Sequence, residues 1–218
     1  MRLFPVLKSG LWITALCLCA QGQNAPGKEA PVTESKGMPP RVTPAEYQTH
    51  AQAGTVTIAA EFTGHHVGTP QGTLTTDDYL VVETAFFGPA GARAKLAIGD
   101  FSLRISGKKA LPGEPYGMVL SSLKDPEWEP PVKPEKKSSM STDGGGRGSE
   151  PPPVPKMTFA ERRAMEQKVQ KATLPEGDRA LPVAGLIFFQ SGGKTKGIKS
   201  LELIYDGPAG KATLTLQP

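Results

Sequence analysis

Residues 79–91 read YLVVETAFFGPAG, a run of nine residues typical of β-strands followed by a turn of Gly, Pro and Ala. The same four letters, GPAG, return at 207–210 between SLELIY and KATLTL. Proline suits the second position of a tight turn, and glycine adopts backbone angles that other residues avoid. Because Pro-Ala offers no polar side chain to select a ligand, we interpret both copies as hairpin loops of four or five residues between strands.

Further strand-like runs extend in both directions from this segment. In residues 101–105, FSLRI, apolar and polar side chains alternate, which is typical of a strand with one buried face. Comparable runs are TVTIAAEF, AKLAI and GMVLSSL in the front half, and LPVAGLIFFQSG, GIKSLELIYDG and KATLTLQ in the rear half. Short strands at regular spacing predict an all-β protein, a sandwich of about seven or eight strands.

Residues 125–173 interrupt this pattern as an insertion. From Asp125 to Lys156 the chain is dense in Pro, Gly, Ser and charge, and such a composition buries too little apolar surface to order itself. Since three rear strands are too few for an independent core, we expect the strands on both sides to pair within a single domain, 43–218. Thr158-Phe-Ala-Glu161 is a capping box, which predicts a short helix whose apolar face comprises Ala164, Met165, Val169 and Ala172.

The chain begins MRLFPVLKSGLWITALCLCAQGQ, with basic residues before an apolar run and small residues after it. This order is typical of a secretory signal peptide, which we place at 1–22. Cys17 and Cys19 raise a lipoprotein alternative, but each follows a leucine where lipid modification requires a small residue. Residues 23–42 are interpreted as a disordered leader, and Thr43–Ala53 favours one or two turns of helix. The mature chain is therefore expected in the periplasm or outside the cell.

Removal of the predicted signal peptide changes the charge and the redox chemistry of the chain. It takes Arg2 and Lys8 from 25 basic residues, which leaves 23 against 21 acidic residues and a net charge of +2 instead of +4. So small a charge does not indicate nucleic acid or an anionic membrane as a partner. Both cysteines are also removed, so neither a disulfide nor thiol chemistry is expected. No further stretch reaches the roughly 18 apolar residues of a membrane helix, and no motif indicates a cofactor.

The order of these elements resembles a group of secreted bacterial immunoglobulin-like domains related to the mycobacterial immunoprotective extracellular protein. Its strand patterns are similar to YLVV, DFSL and GK at 79–82, 100–103 and 107–108, and to LPEG, GLIFF and LELIY at 174–177, 185–189 and 201–205. The resemblance implies an immunoglobulin-like sandwich outside the cytoplasm and brings no catalytic residues. The chain departs from the group in its long insertion, and in having Phe189-Gln190 where an acidic residue is usual.

Few residues of the sequence are candidates for a catalytic, metal-binding or phosphate-binding site. His65 and His66, with His50 upstream, form the only histidine cluster, but neighbours on a strand point to opposite faces, so a metal site there would need Asp77 or Asp78 as well. Turn capping is the preferred interpretation of Asp77-Asp78, since no calcium-loop spacing accompanies them. A Ser-His-Asp hydrolase would lack the Gly-x-Ser-x-Gly elbow. The Gly-rich segment 143–148 is interpreted as a linker, because no Gly-Lys-Ser/Thr follows it.

The aromatic residues at the edge of the insertion, Tyr116 and Trp128, offer either a contact patch for a partner or a means of packing the loop onto the sandwich, and the second use is commoner. The sequence therefore favours an exported, non-catalytic binding module of the bacterial cell envelope that contacts a protein or envelope component. Two alternatives stay open. One is a secreted hydrolase or metal-dependent enzyme with its site on the loops of 110–175, and the other is an accessory subunit of an envelope complex that docks through the insertion.

Overall fold

The computed structural model describes residues 37–126, 128, 157–192 and 197–218, which lie in one compact unit, Glu34–Pro218. Most of these residues form short strands joined by tight turns. The strands are β1 (Thr49–Ala53), β2 (Val56–Gly64), β3 (His66–Thr69), β4 (Gly72–Thr76), β5 (Tyr79–Phe87), β6 (Arg93–Leu96), β7 (Phe101–Ile105), β8 (Leu111–Pro112), β9 (Leu123–Lys124), β10 (Gly177–Ala180), β11 (Val183–Gln190), β12 (Leu201–Gly207) and β13 (Gly210–Leu216). The helices are α1 (Tyr116–Val119) and α2 (Phe159–Ala172), with single 3₁₀ turns at Pro44–Glu46, Ile98–Asp100 and Leu120–Ser122.

The prediction of an all-β, sandwich-like fold is confirmed, with thirteen strands in the described residues where seven or eight were expected. One four-stranded sheet has the order β1-β2-β5-β11, and the other has the order β13-β12-β7-β8. Strands β3-β4-β9 and β6-β10 form two smaller sheets. Strands from the two sides of the predicted insertion pair antiparallel, β5 with β11, β7 with β12 and β6 with β10.

The larger core joins the two four-stranded sheets. Alternate residues of β5 and β11, among them Phe86 and Ile187, are fully buried against β7 and β12. The rings of Phe86, Phe101 and Tyr205 meet there with centroids 5.1 to 5.9 Å apart, in edge-to-face and tilted arrangements. Such contacts add to the burial of apolar area that dominates folding. In β7, Phe101 and Leu103 are buried while Arg104 is exposed, as the alternating pattern predicts.

A second core covers part of the outer face of the first sheet. Leu186 and Phe188 of β11 are buried there with Val119 of α1 and with residues of α2. The predicted helix and its capping box are confirmed, and its buried residues are Met165, Val169 and Ala172. Ala164, expected on the same face, is exposed instead, because the turn of the helix places it beside the buried stripe.

Because β11 lies at an edge of its sheet, its outer main-chain groups need partners from elsewhere. Three separate segments supply them: the N–H groups of Met38, Leu174 and Glu114 donate to the carbonyls of Ala184, Leu186 and Phe188 at 2.9, 3.0 and 2.8 Å. These acceptors alternate along the strand, so the edge is closed by isolated bridges rather than by another long strand.

Two segments predicted in another conformation are corrected by the structure. GMVLSSL, expected as a strand, forms α1, a 3₁₀ turn and the two-residue β9. Its buried residues Val119 and Leu123 lie four positions apart, a helical spacing that a short apolar run hides. Thr43–Ala53, expected as one or two helical turns, has only a 3₁₀ turn before it pairs with β2 as β1.

The two GPAG copies have different roles. The second closes the β12–β13 hairpin, where Gly207 pairs with Gly210 and leaves Pro208-Ala209 as a two-residue loop. The first connects β5 to β6, which belong to different sheets, so the hairpin prediction is wrong for 88–91. The two identical sequences form different connections because the strand that follows each turn pairs where its side chains are buried, and the turn itself does not determine that partner.

Part of the predicted leader is packed against the sandwich. Met38 bridges to β11, and Arg41 forms ion pairs with Glu61 and Glu83, so the expectation of disorder is wrong for 37–42. The predicted signal peptide, the leader before residue 37 and most of the Pro/Gly-rich segment, 129–156, lie outside the described residues. Among the helices of the described ranges, none combines the length and apolarity needed to cross a membrane.

The buried hydroxyl of Thr84 allows the cost of an unsatisfied polar group in the core to be measured. Thr84 is fully buried, and its Oγ1 has no hydrogen-bond partner in the described part of the chain. An unsatisfied buried hydroxyl costs free energy, so we expect Thr84→Val to raise the free energy of unfolding by about 1 kcal/mol in urea denaturation. Thr76→Val is the matched control. Thr76 is equally buried, but its hydroxyl is hydrogen-bonded to Ser122 Oγ at 2.7 Å, so loss of that bond should lower the free energy of unfolding. Equal effects of the two variants would contradict this account.

Gly185 provides a second test, because the chain leaving α2 passes directly over it. A Cβ at Gly185 would lie 2.3 Å from the Cα and N atoms of Leu174. Main-chain atoms cannot move aside cheaply, so Gly185→Ala is expected to lower the free energy of unfolding by about 2 to 3 kcal/mol. Gly99→Ala, where an added Cβ meets nothing within 4 Å, should change it by less than about 0.5 kcal/mol. If both variants unfold at the same urea concentration, the close crossing of Leu174 is not a constraint.

Candidate functional site

The histidines considered from the sequence lie apart in the fold. His50 is exposed on β1, and His66 is exposed on β3 opposite Thr75. His65 lies in the turn before β3, where its Nδ1 is 2.7 Å from the carbonyl oxygen of Tyr79. The described residues contain no group of three His, Cys, Asp or Glu side chains placed to hold a metal ion.

Asp77 and Asp78 have structural contacts. The carboxylate of Asp77 pairs with the ammonium group of Lys124 on β9. The carbonyl of Asp78 accepts a hydrogen bond from the N–H of Ser191 at 2.9 Å, which ties the start of β5 to the end of β11. These contacts fix the connection between β4 and β5.

Three charged residues, of which Glu83 is buried, join the N-terminal segment to the first sheet. Arg41 pairs with Glu61 of β2 and, at 3.3 Å, with Glu83 of β5, which is only 8% exposed. Its guanidinium group lies 4.4 Å from the ring centroid of Tyr47, a cation–π contact. Burial alone would lower the pKa of Arg41, but the hydrogen bonds and charges of the two glutamates raise it. These groups act as a structural clamp, and its cation, Arg41, lies in the segment that the sequence predicted as a disordered leader.

The second GPAG turn is fixed to the aromatic part of the core. The Tyr205 hydroxyl accepts a hydrogen bond from the N–H of Ala209 at 3.3 Å, and a Cβ at Gly207 would lie 2.6 Å from that hydroxyl and 2.7 Å from Asp100 Oδ2. Burial raises the pKa of the Asp100 carboxyl group, and the charge of Asp206 adds to this shift. Burial likewise raises the pKa of Tyr205. The polar groups at this end of the sandwich thus hold a turn in place.

The aromatic residues beside the insertion pack onto the fold, in agreement with the commoner of their two uses. Tyr116 is half-buried against the second core. Trp128 is half-buried, and its Nε1 donates to Glu161 Oε1 in the first turn of α2 at 3.3 Å. Met157, on the other side of 129–156, also packs against the second core. The residues that flank this segment, Trp128 and Met157, are therefore both in contact with described parts of the fold.

An exposed apolar side chain lies at this same place. Phe159, the first residue of α2, is 80% exposed. The helix beneath it is held by its capping box, in which Thr158 Oγ1 accepts the N–H of Glu161 and Glu161 Oε2 accepts the N–H of Thr158. Arg162, Arg163 and Lys171 are exposed on the helix. We call Phe159, Arg162 and Arg163 the α2 surface; the exposure of Phe159 was not predicted from the sequence.

No protein-family model matches this chain, and neither a curated protein nor a solved structure matches it significantly.

The clamp is tested by removing its cation. Arg41→Ala leaves the carboxylate of Glu83 without its paired charge, so we expect the free energy of unfolding to fall by about 2 kcal/mol at neutral pH, less than for a fully buried pair because Arg41 is partly exposed. Arg104→Ala is the control, since Arg104 pairs with Glu202 on the surface and should lose less than about 1 kcal/mol. Adding Glu83→Gln to Arg41→Ala should restore part of the loss. A loss from Arg41→Ala no larger than that from Arg104→Ala would argue against the clamp.

Proposed function

We propose that the chain is an exported, non-catalytic, immunoglobulin-like interaction module of the bacterial cell envelope, which binds a protein partner through the α2 surface. The observation that carries this proposal is the 80% exposure of Phe159 on a helix whose opposite face is locked into the second core. Aromatic side chains and arginines are the residues that most often dominate the binding energy of protein interfaces. A rigid helix presents such an anchor at little cost in conformational entropy.

The residues on either side of 129–156 support the same surface. Its sequence, rich in Pro, Gly, Ser and charge, predicts a flexible segment of 28 residues. Trp128 precedes it and contacts Glu161, and Met157 follows it directly before the helix. A partner that binds Phe159 would therefore also lie close to Trp128 and Met157, which is the arrangement expected of the accessory subunit considered from the sequence.

The enzymatic alternative has less support in the described residues. The described residues of 110–175 include α1, β9 and α2, and the polar groups at the start of α2, Thr158 and Glu161, are engaged in its capping box. The cavity in this region, about 200 Å³, is lined mainly by apolar and amide side chains, with Glu176 bonded to the N–H of Ile98. Stoichiometric metal in the purified chain would favour the enzymatic alternative over our proposal.

The α2 surface is tested by site-specific crosslinking. A photo-crosslinking analogue of phenylalanine in place of Phe159 should give one discrete adduct in envelope extracts, whereas the same analogue in place of Thr213, exposed on β13, should not. Excess unlabelled chain should abolish the adduct. Excess Phe159→Ala chain should compete about 30-fold less well, as expected for loss of an aromatic anchor that contributes about 2 kcal/mol.

Circular dichroism and urea denaturation of Phe159→Ala control for folding, and should match the parent because Phe159 has little buried surface. The same adducts from positions 159 and 213, or equal competition by the two chains, would contradict the proposal.

A further inference from the structure

Two lysine-bearing segments follow β7 and β11, and their described residues, 105–113, 190–192 and 197–200, lie side by side. Residues 105–113, ISGKKALPG, and 190–200, QSGGKTKGIKS, contain five lysines and no acidic residue. Lys108, Lys109 and Lys199 belong to the described residues and are exposed. The small net charge of the chain conceals this local concentration of lysines.

The two loops are joined through Ser106. Its N–H donates to the carbonyl of Ser200 at 2.8 Å, and its Oγ accepts the N–H of Lys199 at 3.0 Å. Ser106 has a φ of 48°, the only positive φ of a non-glycine residue in the described ranges, and Gly107 follows at 71°. With the N–H of Lys108 bonded to the carbonyl of Ile105 at 3.0 Å, these angles define a tight type I′ turn. Two hydrogen bonds hold Ser106 in this unfavoured conformation, so the backbone from which Lys108 and Lys109 extend is fixed.

A cavity of about 480 Å³ opens between the loops. Ile105, Leu111 and Ile198 line its apolar part, while Lys108, Lys109, Ser106, Gln190 and Ser191 supply polar groups. No acidic side chain belongs to this lining in the described part of the chain. Such a volume suits a small organic molecule and exceeds that of a simple ion.

Two serine hydroxyl groups at this cavity have unused hydrogen-bonding capacity. Ser191 is one of the residues that line the cavity, and its Oγ is buried without a hydrogen-bond partner among the described residues. Ser106 Oγ accepts from Lys199, so its own hydrogen is left to donate. Buried polar groups are normally satisfied, and one that is not requires an explanation such as a bound group.

We propose that this cavity binds the phosphate group of an organic phosphate, with Lys108 and Lys109 as its countercharges and Ser191 as a hydrogen-bond donor. Lysine binds phosphate as a point charge, whereas planar carboxylates are matched by the arginine fork, and no arginine lines the cavity in the described residues. The apolar part would hold the organic portion of the ligand. The proposal uses none of the residues of the α2 surface and does not depend on the function assigned to it.

The test separates a soluble phosphate ester from a lipid headgroup. The chain without residues 1–22 is titrated with glycerol 3-phosphate and, separately, with phosphatidylcholine vesicles that contain or lack phosphatidylglycerol. Chemical shifts of Gly107, Ser191 and Gly197 report the soluble ligand, and co-sedimentation reports the vesicles. We expect saturable binding in one arm, weakened by salt.

Lys108→Gln/Lys109→Gln should reduce the affinity at least tenfold. Lys95→Gln/Lys171→Gln, which removes two exposed lysines elsewhere, is the charge-matched control and should change it less than twofold. Ser191→Ala should weaken binding several-fold without lowering the urea midpoint, because its hydroxyl has no partner to lose. Binding of glycerol 3-phosphate or of anionic vesicles that is lost only in the site variants supports the proposal. Absence of binding in both arms, or equal loss in the two double variants, overturns it.

Discussion

Strand β11 is buried on both faces, and the rest of the structure depends on this constraint. Ile187 and Phe189 belong to the core shared with the second sheet, while Leu186 and Phe188 belong to the core beneath α1 and α2. A strand in this position must satisfy its main-chain groups without water. On one side it pairs with β5 along eight residues, and on the other it accepts hydrogen bonds from three separate segments. The packing of the N-terminal segment, of α1 and of the chain after α2 follows from this requirement.

This constraint also explains why several polar residues near the first sheet have structural roles. Arg41, Glu61 and Glu83 hold the N-terminal segment over the outer face of the first sheet, beside the bridge from Met38 to β11. Asp77 and the carbonyl of Asp78 hold the entry to β5, the partner of β11. Charges that are partly removed from solvent need such partners, since an unpaired buried charge is costly. These polar groups thus attach the N-terminal segment and the β4–β5 connection to the first sheet.

The two surfaces proposed to bind partners lie outside the packed region around β11. Phe159 projects from the first turn of α2, beyond the stripe that packs on the second core. The cavity between the β7–β8 turn and the loop after β11 lies beyond the last residue of the buried strand. A rigid sandwich with variable loops at its margins is a common basis for binding sites, because the scaffold positions the loops at low entropic cost. The two proposed sites are of different chemistry, one aromatic and one cationic.

The sequence alone determined the elements whose signal is local. YLVVETAFF corresponds to β5 from its first residue to its last, and the capping box correctly placed the start of α2. Strands with few apolar residues were missed: β3 and β4 each contain one buried aliphatic residue and are stabilised mainly by pairing with each other. Only the tertiary structure decided that one GPAG copy closes a hairpin and the other crosses between sheets. It alone brought Ser106 to Lys199, 93 residues further along the chain, and so assembled the lysine-lined cavity. Propensity and spacing report on neighbours in sequence, whereas strand partners and the contacts between loops are selected by the burial of a shared core.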